Sequence, residues 1–97
     1  MNDTELDRAL RSIGMACLVD HIELFGDRRA TPTEIAERLN EVTDWTAKSC
    51  RSRAGHARRI FAAGRAGDAM RLVASSSRVD PEKAEKARLW AAANPDR

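Results

Sequence analysis

Tyrosine is missing from this chain, and the other aromatic side chains amount to two Phe and two Trp in 97 residues. Sheets draw on aromatic and β-branched side chains, so this scarcity argues for an interior of Ala, Leu, Ile and Val packed between helices. Three Pro and five Gly leave long stretches without a helix breaker. There is no alternating apolar and polar run, and no Asn-Gly or Asp-Gly pair to close a hairpin. Neither a strand nor a β-wing is expected. No run of about 18 apolar residues is present to span a bilayer, and Asp3, Glu5 and Asp7 put acid where a secretory leader carries base. The reading is a cytoplasmic protein with no membrane partner.

Chemistry-bearing patterns are equally sparse. Cys17 and Cys50 stand 33 positions apart, which suits neither a disulfide framework nor a C-x-x-C knuckle, and both are expected as reduced core residues. Cys17 and His21 share a helical face, but Cys50 and His56 point to different sides of theirs, so no metal site and no cofactor are expected. His21 is expected partly buried and hydrogen-bonded, and His56 against phosphate or solvent. The serines at 75–77 have no His near them in sequence, and no paired carboxylates or Gly-rich phosphate loop occur. The chain is not expected to be an enzyme.

One absence is local. Residues 46–65 contain no Asp or Glu but hold Lys48, Arg51, Arg53, Arg58, Arg59 and Arg65. Residues 1–45 carry ten acids and five bases, and residues 66–97 five acids and six bases, so the modest overall charge of +2 hides a stripe of +6. Solvated faces usually interleave both signs. A localised cationic run on a nearly neutral chain is a footprint for a polyanion.

Helical spacing organises the remainder. From Asp3 to Phe25 the apolar residues Leu6, Leu10, Ile13, Cys17 and Leu24 define one helix, or two jointed near Gly14. A second stripe, Met15, Leu18, Val19, Ile22 and Phe25, makes its later part apolar on most of its circumference. Such a helix is buried on more than one side. The stripe Met15, Leu18, Ile22 and Phe25 is therefore either core or a homodimer interface, with Trp90 of the last helix as the competing anchor. Thr31, Pro32 and Glu34 form a capping-box start for a helix to about Glu41, with Ile35, Ala36 and Leu39 inward and Asn40 as a left-handed exit. Thr46 caps the next helix at Lys48 or Ser49, with Trp45 lying back on the domain. That helix gathers Ala47, Cys50, Ala54, Ala57 and Phe61 on one side. Lys48, Arg51, Ser52, Gly55, Arg58 and Arg59 gather on the other. Gly64 and Gly67 end it, a short helix follows from about Asp68 to Ala74, residues 75–80 form a loop, and Asp80-Pro81-Glu82 opens a final helix to Ala93.

Two capped helices around a turn, the second basic, read as a helix-turn-helix at residues 32–63. The expected fold is a single all-α domain over residues 1–97, with four to five helices and no β-wing. In such a motif the second helix lies in the major groove with its early residues at the base edges. Lys48, Ser49, Arg51 and Ser52 occupy those positions, and Arg58 and Arg59 are placed for phosphates. Gly55 removes a side chain from the basic face and lets a phosphate come close.

The segments IAERLN (Ile35 to Asn40) and WTAKS (Trp45 to Ser49) resemble the helix-turn-helix in the C-terminal part of serine recombinases and of related small prokaryotic and phage regulators. The resemblance covers about a third of the chain. It implies that Ile35, Ala36 and Leu39 are core positions, that Trp45 docks the turn, and that the helix opened by Thr46 reads DNA. It does not extend to the recombinase catalytic domain, so strand exchange is not implied. The expected function is sequence-specific binding of double-stranded DNA by a homodimeric regulator of transcription. The alternative is an adaptor or inhibitor that grips an acidic protein partner with the same helix.

Overall fold

The computed structural model describes residues 1–95 and 97. Among them every regular element is an α-helix, and there are seven rather than four or five: α1 (Asp3–Ile13), α2 (Met15–Asp20), α3 (Ile22–Phe25), α4 (Pro32–Val42), α5 (Ala47–Ala62), α6 (Ala66–Ala74) and α7 (Pro81–Ala93). The difference lies in the N-terminal segment, which is broken twice. Gly14 adopts φ +92°, a conformation open to Gly but strained for other residues, while its N–H still donates to the Leu10 carbonyl at 2.8 Å. The second break, at His21 (φ −120°, ψ 24°), has no glycine or proline to announce it.

These two breaks fold the apolar segment around the centre of the protein. Leu18 and Ile22 are 1% exposed and Phe25 2%. Met15 is partly buried and packs against the same core. The stripe considered as a dimer interface is thus interior: the bends wrap both apolar faces of the segment with the chain's own helices. Trp90, the competing anchor, is also engaged within the chain, edge-on to Phe61 at 6.2 Å between ring centroids.

α5 packs against both α1 and α4, and α6 pairs with α7. Its inner face is Cys50, Ala54, Ala57 and Ile60, all buried. Small side chains at three of these positions let neighbouring backbones come close. Ile60 takes the core position that spacing assigned to Phe61, which instead sits half-buried at the margin against Trp90. Leu6, Leu10 and Ile13 of α1, Ile35, Ala36 and Leu39 of α4, and Met70 and Val73 of α6 complete one continuous core.

The caps are the ones the sequence announces, with one addition. Thr31 Oγ1 accepts the Glu34 N–H at 3.1 Å while Glu34 accepts the Thr31 N–H at 3.2 Å. Thr46 Oγ1 accepts the Ser49 N–H at 3.1 Å, and Asp80 accepts the Glu82 N–H at 2.8 Å. Asn2 and Glu5 make a further capping box at α1. Among the described residues, no helix is long and apolar enough to cross a membrane.

Replacing Gly14 with Ala forces a side chain onto a backbone that resists one, at a cost of about 1–3 kcal/mol. Urea denaturation should show the midpoint falling without a change in slope; an unshifted midpoint would mean the joint tolerates a Cβ.

Candidate nucleic-acid interface

The turn between α4 and α5 is built by side chains. α4 runs through Val42, so Asn40 is not its exit and has no left-handed backbone; the described residues with positive φ are glycines. Asn40 Nδ2 instead donates to the Trp45 carbonyl at 2.7 Å. Thr43 supplies the exit in an extended conformation, its hydroxyl donating to the Leu39 carbonyl at 2.8 Å and accepting the Trp45 N–H at 3.4 Å. Trp45 is thereby held from both sides. Its half-buried ring carries the Arg53 guanidinium at 4.0 Å from the centroid and meets the edge of the His21 ring at 6.1 Å.

The cations of residues 46–65 divide by what surrounds them. Arg53 Nη1 donates to the Ile13 carbonyl at the end of α1, and Nε donates to Ser49 Oγ at 3.1 Å. Arg58 Nη2 donates to the Ala30 carbonyl in the loop before α4. Arg65 bridges Asp68 at 2.6 Å and Asp3 at 2.7 Å and donates to the Met1 carbonyl at 2.8 Å. Three of the six are therefore structural. Lys48, Arg51 and Arg59 are exposed and, among the described residues, in no ion pair.

At 100° per residue Lys48, Arg51, Ser52, Gly55 and Arg59 follow one line along the outside of α5. Four of the six positions assigned from sequence, Lys48, Arg51, Ser52 and Arg59, are exposed on that line. Ser49 and Arg58 are half-buried on its two flanks and are corrected to structural roles, because each is bound to a neighbouring group of the fold. Spacing alone cannot separate an arginine on the open line from one leaning 80° to the side, where α4 and its loop offer a carbonyl oxygen. Gly55 has nothing within 4 Å of where a Cβ would stand.

The two flanks of this line differ in charge. On the α4 side a cleft is lined by Thr33, Ala36, Glu37, Asn40, Ala47 and Arg51. On the α1 side the lining is Glu5, Arg8, Ala9, Ser12, His56 and Arg59. The exposed face of α4 carries Glu34, Glu37 and Glu41, and its Arg38 is held by Asp27 at 3.2 Å. Backbone hydrogen bonding from Arg29 and the Arg38 guanidinium hold the Asp27 carboxyl below its usual range.

The chain matches no protein-family model, no curated protein and no solved structure. Its functional reading therefore stands on its own residues. The thiols do not contribute chemistry to it: Cys17 and Cys50 are buried and unlinked, and burial pushes the Cys17 thiol up, against the opposing pull of Arg53.

Arg53→Ala and Arg58→Ala should each lower stability by about 1–3 kcal/mol, because each strands a backbone carbonyl. Lys48→Ala, Arg51→Ala and Arg59→Ala should fall within about 0.5 kcal/mol of the parent. Equal effects in both groups, measured by thermal or urea unfolding, would refute this division. Burial, against the opposing effect of Asp20, holds His21 below its ordinary pKa of 6.5. Its contribution to stability is accordingly present above that value and lost as pH falls through the lower, folded-state pKa. His21→Gln should flatten the decline of Tm between about pH 7 and pH 5.

Proposed function

We propose that α4, the turn at 43–46 and α5 act as a helix-turn-helix that binds double-stranded DNA in a sequence-specific manner, as a homodimeric regulator of transcription. α5 enters the major groove, with Lys48, Arg51 and Ser52 at base edges and Arg59 at a phosphate. The observation that carries this reading is the pairing of open cations with a glycine in the middle of a helix. Gly55 lies nine residues into a 16-residue helix, where it costs about 1 kcal/mol relative to Ala. None of the described residues occupies the space beside it. Packing gives no reason for its presence, whereas close approach of a groove wall does.

The acidic outer face of α4 bears on how the motif docks. In this reading α4 braces α5 through Ile35, Ala36 and Leu39 rather than by crossing the DNA backbone, since Glu34, Glu37 and Glu41 would repel phosphates. One helix offers few base contacts, and a two-fold pair on half-sites about 34 Å apart doubles them. With Leu18, Ile22 and Phe25 inside the core, the exposed large apolar side chains left for self-association are Val42, Leu72 and Leu89.

Selection of bound fragments from random duplex DNA, with the mass of the complex measured, should return a two-fold-related sequence and two chains per duplex. Affinity should fall with salt at about 0.9 in log K per log salt for each phosphate neutralised. The triple change of Lys48, Arg51 and Arg59 to Ala should abolish binding while the protein stays folded. Normal duplex binding by that variant would sink the reading, and retention of an acidic protein in place of DNA would favour the adaptor. Gly55→Ala should raise stability by up to about 1 kcal/mol and weaken DNA binding in the same protein. Unimpaired binding would leave the glycine without a functional account.

A further inference from the structure

His56, one of the residues lining the cleft between α1 and α5, carries a ring nitrogen that the fold leaves unanswered. His56 Nδ1 is shielded from solvent and has no hydrogen-bond partner among the described residues. Buried polar atoms are nearly always paired, and a turn of this half-buried ring about its Cβ–Cγ bond would bring Nδ1 to a group entering the cleft from outside. Arg8 and Arg59 line the same cleft, both exposed and, among the described residues, in no ion pair. With Glu5 the one acid against them, the two guanidinium groups leave the groove net positive. An anion placed there pairs with both and gives the histidine its partner.

The two remaining polar members of the lining do not compete for that role. Ser12 Oγ turns its proton back to the Arg8 carbonyl at 3.0 Å, leaving only lone pairs to the cleft. Glu5 is the one acid in the lining, and its carboxylate accepts the Asn2 N–H at 3.4 Å as part of the α1 cap. The opposite flank of α5 shows Glu37 where this flank shows Arg8.

We propose that the α1–α5 cleft is a phosphate site, in which Arg8 and Arg59 supply charge and the His56 imidazole turns to donate through Nδ1, and that its occupant is a backbone phosphate of the duplex whose groove α5 enters. This rests on the DNA reading for the source of the phosphate, but not for the site itself. Arg8 is a new member of the interface, from a helix outside the helix-turn-helix.

The test has two arms on the full chain. In the first, duplex binding by Arg8→Ala is compared with that of the parent across salt and across sequences. The expected result is uniform weakening on all sequences and a salt slope shallower by about 0.9, so that between 50 and 200 mM salt the variant loses about 3.5-fold less affinity than the parent. An unchanged slope in a parent that does bind DNA overturns the proposal and leaves the DNA reading standing. In the second arm, inorganic phosphate is titrated while the His56 ring resonances are followed by NMR, at constant pH and ionic strength. Saturable shifts that vanish in Arg8→Ala support the site. If they appear in a chain that binds no duplex, the DNA reading fails and the occupant is a free phosphate. Absence of any shift, with no Arg8 effect on DNA, overturns the proposal in both forms. Arg8 is exposed and outside the core, so its loss should leave the thermal transition in place, which the same samples report.

Discussion

Two carbonyl oxygens at the ends of segments, those of Ile13 and Ala30, would lack a partner if α5 were not rich in arginine. Arg53 and Arg58 reach them from opposite flanks of the helix. Buried or half-buried carbonyls left unpaired are costly, so these two bonds fix how α5 lies relative to α1 on one side and to the loop before α4 on the other. The seat of α5 sets everything else. Its small inner residues, Cys50, Ala54 and Ala57, fit only if the neighbouring helices stay close. Its outer line is level and open only because the helix is held on both sides.

The sequence was most legible where a feature is local. Capping at Thr31, Thr46 and Asp80, the inward triad Ile35, Ala36 and Leu39, and the all-helical class depend on neighbours within a turn of chain, and each is where spacing puts it. The second break at His21 was not legible, because no breaker residue marks it and the cause is packing between distant segments. The apolar stripe of Met15, Leu18, Ile22 and Phe25 was legible as a surface that must be covered, but not as to what covers it. A bend in the backbone, invisible to periodicity, decided between self and second copy.

Arginine shows the same limit at the site. Six cations in twenty residues look alike in sequence, yet three neutralise carboxylates or cap carbonyls and three do not. What separates them is the partner, and each of Arg53, Arg58 and Arg65 has a backbone carbonyl partner 28 to 64 positions away in the chain. Asp3 and Asp68 return to Arg65 the negative charge that its own stretch of sequence lacks. The acid-free run is consequently less basic in space than on paper. Its remaining charge is concentrated on the outer line and is flanked on the α1 side by Arg8, which no reading of that run alone would include.

The outward side of α4, with Glu34, Glu37 and Glu41, adjoins the cationic line of α5, since Glu37 and Arg51 line one cleft between the two helices. A sharp border between signs exerts torque in an electric field as well as attraction. Long-range fields of this kind act before surfaces touch, at separations up to the Debye length of about 8 Å at physiological salt. A polyanion approaching from any direction would therefore rotate the protein, swinging the acidic helix away and the α1 flank forward. On the proposed DNA reading, the glutamates of α4 would act as a rudder, setting which way round the protein arrives without making a contact.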